Sequence, residues 1–238
     1  MDIELEANER IDDLEFKNLK IIQNKDGFCF GIDSVLLSDF AKNIKKDSMV
    51  LDLGTGTGII PILLCGKTKL KKVTGIELQE EVAKMAKKSI KLNNLEDKFN
   101  VINENILNLN KIYENQTFDV IVSNPPYKKK DTGITNENEK KIISRHEISA
   151  SLEENLTVIS QQPFAFTLIN LLKDKGEFYM VHRPERLVDI FELMRKYKIE
   201  PKILKMVYSY KNKEPKLILI KGVKNAKPFL KVESNLYI

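Results

Sequence analysis

The sequence predicts an α/β fold, a mostly parallel sheet with helices on both faces and an antiparallel strand added near its end. Three observations carry this. From about residue 48, short β-branched runs alternate with amphipathic helical patterns, which is the signature of repeated β-α units. Gly54, Gly56 and Gly58 separate the first of these runs from the apolar stretch that follows, where a parallel sheet binds its ligand. The chain then closes with two strand-like runs joined by a polar KNKE turn, an antiparallel hairpin.

Residues 1–47 are expected to be a lead-in packed on the core, and residues 48–238 to form the main domain, so that the chain is effectively a single domain. In the lead-in, LKIIQN reads as a short strand, GFCFG as an aromatic turn, and the residues after it as a helix that Asp33 can cap. SMVLDL (48–53) is the first core strand and IIPILL the helix after the glycines. KVTGIE (72–77) is a strand, and QEEVAKMAKKSIKLNN (79–94) a helix with Val82, Ala83, Ala86, Ile90 and Leu92 mostly on one side. FNVIN (99–103) and FDVIVS (118–123) continue the series, followed by a helical stretch broken near Pro163 and then GEFYMV (176–181). Pro184 suits the first turn of the helix PERLVDIFELMRKY. ILKMVYSY and PKLILIKG form the hairpin. KKKDTGITNENEKK (128–141) is too polar to pack and reads as a mobile loop.

At 238 residues and 42% hydrophobic composition, the chain can bury a sizeable core. No apolar run reaches the roughly 18 residues of a membrane span, and the acidic MDIELEANER has none of the character of a signal peptide. Cys29 and Cys65 stand far apart, without metal-ligand spacing, and only His146 and His182 offer imidazoles. A cytoplasmic protein without a metal is expected. The net charge of +5 is unevenly spread: from Arg195 onward twelve bases face three acids. Such an end is either a solvated face or a surface for a polyanion.

VLDLGTGTGII (50–60) lets a ligand approach the backbone at the end of the first core strand. It lacks the last glycine of a G-x-G-x-x-G dinucleotide fingerprint, since Ile59 stands there, so pyrophosphate is disfavoured. Glu77 ends the second core strand, where an acid holds ribose hydroxyls. A ligand with a ribose and no phosphate fits best, and S-adenosylmethionine is such a ligand.

The fourth core strand ends in SNPPYKKK. An exocyclic amino group on adenine is a poor nucleophile, because its lone pair is delocalised into the ring. Two acceptors aimed at its hydrogens favour a pyramidal nitrogen. Asn124 offers a side-chain oxygen, and Pro125 a carbonyl whose direction Pro126 fixes by forcing an extended backbone. Tyr127 offers a face on which a flipped base can stack, worth about 1–3 kcal/mol. No strong base is needed when positioning supplies most of the effect. Lys128, Lys129 and Lys130 are either the edge of a solvated loop or contacts to nearby phosphates.

These motifs resemble the class I methyltransferases, and NPPY resembles their amino-methylating branch. The resemblance implies a Rossmann-like, seven-stranded, mostly parallel sheet. It implies that Asp52, Gly54, Gly56 and Gly58 surround the methionine part of S-adenosylmethionine, that Glu77 takes the ribose, and that Leu78 lies at the cofactor. Asn105, with Ile106, matches the position that takes the adenine amino group. That position is usually aspartate, so Asn105 departs from the pattern. Asn124 would serve both cofactor and target.

Finer resemblance lies in ERIDDL, LKIIQN, GFCFGIDSVLLSDFA, ISRHE and YMVHRPERLVDI. With the core motifs these cover most of the chain, which is similar to the bacterial tRNA1(Val) (adenine-N6)-methyltransferase family, whose target is adenosine 37 beside the anticodon. The resemblance places Phe30, Gly31 and Asp33 near the cofactor and implies a tRNA substrate, with no membrane and no obligate protein partner evident. Candidate RNA contacts are Lys128, Lys129, Lys130, Arg145, Arg183, Lys211 and Lys213; for Arg145 and Arg183 an Arg–Glu pair tying a loop to a helix start is the competing reading. Other readings stay open, namely an amino-methylase of another RNA or of a protein glutamine, or an RNA-binding protein that kept the fold and lost catalysis.

Overall fold

The computed structural model describes residues 3–27, 29–125 and 168–238. Two strands precede the core, β1 (Glu9–Asp13) and β2 (Lys20–Asn24), paired as an antiparallel ribbon. The sequence predicts only β2, because the acid-rich ERIDD shows no apolar alternation. Next come α1 (Ile32–Phe40), β3 (Met49–Leu53), α2 (Ile59–Lys67), β4 (Lys72–Glu77), α3 (Glu80–Leu92), β5 (Phe99–Asn103), a 3-10 turn (Ile106–Lys111) and β6 (Phe118–Ser123). The second described stretch holds β7 (Leu172–His182), a 3-10 turn (Pro184–Arg186), α4 (Leu187–Lys196), β8 (Ile199–Tyr208), β9 (Leu217–Lys224), β10 (Lys231–Val232) and β11 (Leu236–Tyr237).

The main sheet has the order β10-β8-β9-β7-β6-β3-β4-β5, with β11 also on β8, nine strands in all. β5, β4, β3, β6 and β7 are mutually parallel, and β9 runs antiparallel between β7 and β8. The seven expected strands are present. The excess over seven comes from β10 and β11, two-residue strands of the tail along the edge of β8, too short to leave a pattern in the sequence.

Central strands buried on both sides alternate between two cores. Val50, Val120, Val122, Tyr179 and Val181 pack with α1, α2 and α3 on one face. Leu51, Leu53, Ile121, Phe178 and Met180 pack with Ile190 and Met194 of α4 on the other. α2 is buried from Ile59 to Cys65, and its Pro61 sits in the first turn, where a missing N–H does no harm. α3 buries Ala83, Met85, Ala86, Ser89 and Ile90, so Met85 and Ser89 join the expected stripe while Val82 and Leu92 are only half-buried. Glu80 and Glu81 in its first turn and Lys91 in its last complement the helix dipole.

The lead-in is tied to this core. Ile21 and Ile22 are fully buried, the Ile22 N–H donates to Ser89 Oγ at 2.9 Å, and Lys88 pairs with Glu9 at 2.7 Å. α1 is held on α2 by Lys67, which donates to Ser38 Oγ at 2.7 Å and pairs with Asp39 at 2.9 Å. Its N-cap is Gly31, not Asp33. Asp33 lies in the first turn, where its carboxylate accepts from the Ser34 N–H at 2.9 Å and its charge suits the helix N-terminus. β7 begins at Leu172, earlier than expected, and Pro184 opens a 3-10 turn ahead of α4. The segment around Pro163 and the polar loop 128–141 lie outside the described residues.

Candidate active site

All five parallel strands end on one side of the sheet, and the sequence motifs meet there. β3 ends at the fully buried Asp52 and at Leu53, and the chain then turns away through Gly54, Thr55, Gly56, Thr57 and Gly58. Gly54, Gly56 and Gly58 have φ of 72°, 58° and 91°, a left-handed region that costs other residues about 1–2 kcal/mol each. The Gly54 and Thr55 N–H groups donate to the Ile76 carbonyl at 3.0 and 2.9 Å, pinning the loop to β4. A Cβ at Gly58 would meet Phe99 at 2.9 Å, so that glycine also lets α2 approach β5. Among the described residues, a Cβ at Gly54 or Gly56 would meet nothing within 4 Å.

Glu77 closes β4 with its side chain turned toward this loop. Its two carboxylate oxygens accept from the Gly56 N–H and the Gln79 N–H, each at 2.9 Å. A carboxylate has about four acceptor positions, so it can take hydroxyls as well. Asn103, at the end of β5, donates to the carbonyls of Glu77 and Leu78, both at 2.9 Å, and so locks the two strand ends together. Leu78 is exposed beside them, and Ile106 is half-buried.

Asp52 has both carboxylate oxygens buried without a well-formed hydrogen bond. Burial pushes its pKa up to about 7; the nearby Thr55 hydroxyl tempers the rise and the Glu77 charge adds to it. A positive charge placed near it would favour its ionised form.

Asn105 follows β5. Its Oδ1 accepts from the Leu107 N–H at 2.9 Å, capping the 3-10 turn, while its own N–H donates to Glu104 at 2.7 Å. The side chain therefore has a structural task, though its oxygen keeps a second lone pair. Glu104 also accepts from Asn108, and these bonds hold its carboxyl below the usual range.

At the end of β6, Ser123 Oγ donates to the Leu53 carbonyl at 3.3 Å, and Asn124 Nδ2 donates to Ser34 Oγ at 2.9 Å. α1 thus reaches the site through Ser34, a residue the sequence reading passed over. Asn124 and Pro125 are half-buried. Phe30 and Gly31 lead into α1, the Phe30 N–H donating to Gln23 at 2.9 Å. Pro126, Tyr127, Lys128, Lys129, Lys130 and Arg145 lie outside the described residues.

The same edge carries positive charge further along. β8 runs parallel to β7, so its turn into β9 emerges at the site's end of the sheet, and Lys211 and Lys213 are exposed on it. Arg183 follows β7 and donates to the Lys216 carbonyl at 3.4 Å. Arg186 pairs with Asp189 at 2.9 Å at the start of α4, while Arg145, on which the Arg–Glu reading also rests, lies outside the described residues. His182 is buried, and burial holds its pKa below the ordinary value. Among the described residues, no helix is long and apolar enough to cross a membrane, and no group of three or more His, Cys, Asp or Glu side chains could hold a metal ion.

A parallel sheet with this strand order, a glycine loop after its first strand and an acid after its second has the architecture of class I methyltransferases. The methyltransferase small domain model matches residues 15–155. A tRNA1(Val) (adenine(37)-N6)-methyltransferase of Porphyromonas gingivalis is 30% identical over 213 residues, which cover 87% of this chain and 79% of that one. The chain belongs to this family. Among solved structures, a predicted O-methyltransferase of Agrobacterium tumefaciens has a TM-score of 0.64 at 15% identity, covering 86% of each chain. TYW2 of P. horikoshii in complex with MeSAdo has a TM-score of 0.61 at 14% identity, covering 93% of this chain and 73% of that one. At these identities the likeness is one of fold.

Proposed function

We propose that the protein transfers a methyl group from S-adenosylmethionine to the exocyclic N6 of an adenosine in tRNA, and that the target is adenosine 37 of tRNA-Val. The observation that carries this is the meeting, at one end of the sheet, of an open glycine loop, the anchored Glu77 carboxylate and Asn124. Family membership supports the same reading.

The residues fit the cofactor. The buried Asp52 carboxylate has no well-formed hydrogen bond and would be favoured in its ionised form by the positive charge of the methionine part, and the space over Gly54 and Gly56 would admit its backbone. Glu77 would take the ribose hydroxyls beside its contacts to the loop, and Leu78 and Ile106 offer apolar surface at the cofactor. Asn105 keeps one lone pair for the adenine amino group while capping its turn. Phe30, Gly31 and Asp33 would close the cofactor side from α1. When bound, S-adenosylmethionine would supply an electrophilic methyl for the target nitrogen, leaving S-adenosylhomocysteine and a released proton.

The chain's own work is positioning. Asn124 Oδ1 and the Pro125 carbonyl accept from the target amino hydrogens and draw its lone pair out of the ring. Pro126 and Tyr127 complete the motif by fixing that carbonyl and stacking the base. Arg183, Lys211 and Lys213, together with Lys128, Lys129, Lys130 and Arg145, would meet phosphates of the substrate. Mass spectrometry of nucleosides from unmodified tRNA-Val treated with protein and cofactor tests the proposal. N6-methyladenosine at position 37 is the expected product; 1-methyladenosine would rule out acceptors built for an amino group.

A further inference from the structure

We infer that Tyr210 and Tyr237 form a stacking ledge for unpaired bases of the RNA substrate, on the flank of the site where β8 ends. The inference rests on the functional reading above. Tyr237 of β11 pairs beside Tyr208 of β8, and their ring centroids lie 5.7 Å apart. Tyr210 follows two residues after Tyr208, in the turn that carries Lys211, Lys213 and Lys216. The strand register locates this group. Ser123 is level with Met180, and His182 and Met206 are both level with Ile218, so Tyr208 stands three residues beyond Asn124 along the strands, about 10 Å. β7 and β9 lie between β6 and β8, which sets it about 14 Å to the side. Together these make about 17 Å, the span of about five stacked nucleotides and of fewer extended ones. With the target base on the floor by Asn124, the ledge rises beside it, within reach of neighbouring nucleotides.

Two properties suit these rings to nucleic acid. The first is that they are exposed yet held in place. Tyr210 is 71% and Tyr237 45% exposed. β11 is fastened by the pairing of Leu236 with Val207 and by the Ile238 N–H, which donates to the Tyr208 carbonyl at 3.0 Å. The turn is fixed by the Lys213 N–H on the Tyr210 carbonyl at 3.2 Å and by the Lys216 N–H on the Val207 carbonyl at 2.8 Å. A ring held in advance loses little freedom when a base stacks on it. The second property is charge. Residues 208–216 hold three lysines against one acid, Glu214. Aromatic rings among lysines offer stacking faces and phosphate contacts together, the combination that captures single-stranded RNA. A paired stretch would offer its phosphates to the lysines but keep its bases from the rings.

This difference makes the test. Filter binding of the full chain is measured on unmodified tRNA-Val over a range of salt, and on a fully paired RNA duplex at low salt. Tyr210→Ala should weaken tRNA-Val binding by at least about fivefold, the low end for stacking on one base, with salt dependence and duplex affinity unchanged. Tyr237→Ala should do the same. Tyr210→Phe and Tyr237→Phe, which keep the ring, should bind like wild type. Single-turnover methylation at saturating tRNA should stay near the wild-type rate, since the ledge holds substrate and does not touch the reacting atoms. Tyr210 lies in an exposed turn, so Tyr210→Ala decides alone should Tyr237→Ala lower the melting temperature. Unchanged tRNA affinity in Tyr210→Ala, or an equal loss for tRNA and duplex, overturns the inference, the second by reducing the ring to a support for the lysines. It falls as well if light scattering shows a dimer that Tyr237→Ala separates, because a second copy would then cover this face. A wild-type protein that binds the cofactor and no tRNA sinks the functional reading itself, whereas tRNA binding indifferent to both tyrosines sinks the ledge alone.

Discussion

The Gly56 amide donates to the Glu77 carboxylate at 2.9 Å, so the loop after β3 and the end of β4 form one unit. Binding of the cofactor should therefore depend on both. Glu77→Ala removes the ribose acceptors and releases the loop, and calorimetry should show S-adenosylmethionine affinity reduced by at least about tenfold, the scale of a hydrogen bond to a charged group. Gly56→Arg should abolish binding, because its side chain would fill the open space and its backbone would be strained at φ 58°. Similar affinity for NAD would contradict the assignment.

Asp52 gives the protein a pH dependence of unusual sign. Its native pKa, about 7, lies above the ordinary value of 3.8. Between those values the native state holds a proton that the unfolded state has lost, so this residue's contribution to stability falls as pH rises through that window. The slope cannot exceed about 1.4 kcal/mol per pH unit for one proton. Denaturant unfolding should find Asp52→Asn gaining on wild type from about pH 4 to pH 7 and level above it. A constant difference would mean an ordinary carboxyl. A bound cation favours ionised Asp52, so cofactor binding near pH 6 should release a proton, visible as a buffer-dependent binding enthalpy.

Asn105 serves two ends at once. As cap of the 3-10 turn it accepts from Leu107, and aspartate caps as well as asparagine does. Asn105→Asp should keep the fold and leave cofactor binding intact or tighter by about 1 kcal/mol, through a charge-assisted bond. Asn105→Ala should lower stability by about 1 kcal/mol and weaken binding together. Normal binding with lowered stability would confine Asn105 to the cap.

Much of this architecture was legible because its parts are local. KVTGIE, FNVIN and FDVIVS are β4, β5 and β6 residue for residue, since β-branched runs bounded by turns carry their own signal. β1 was hidden because it lies largely exposed, with acids where a buried strand would show alternation. The Ser34–Asn124 contact leaves no trace in sequence, as a serine in a helical first turn looks the same whatever it meets 90 residues on. Asn105's capping is legible in principle, as an asparagine ahead of a short helical turn.

The exposed lysines at the β8–β9 turn face the same side as the site. Reversing the charge of Lys211, Lys213 and Lys216 together should weaken tRNA binding and flatten its salt dependence, each lost phosphate contact lowering the log–log slope by about 0.7–0.9. Filter binding over a range of salt concentrations measures this. An unchanged slope would make these lysines a solvated face only.

Asn124 separates binding from chemistry. Its role toward the target amino group belongs to the transition state, when the nitrogen pyramidalises and its hydrogens become more acidic. Asn124→Ala should therefore leave S-adenosylmethionine affinity nearly unchanged and cut single-turnover methylation by several hundredfold, roughly the cost of losing one preorganised transition-state hydrogen bond. It also strands the buried Ser34 hydroxyl, so a small drop in melting temperature is expected. Asn124→Asp keeps an acceptor and should be partly active. Tyr127→Phe should keep the stacking face and the rate, whereas Tyr127→Ala should lose base capture. If Asn124→Ala weakened cofactor binding as much as it slowed methylation, the residue would hold the cofactor and the acceptor role would fall, because an interaction made only at the transition state cannot appear in ground-state affinity.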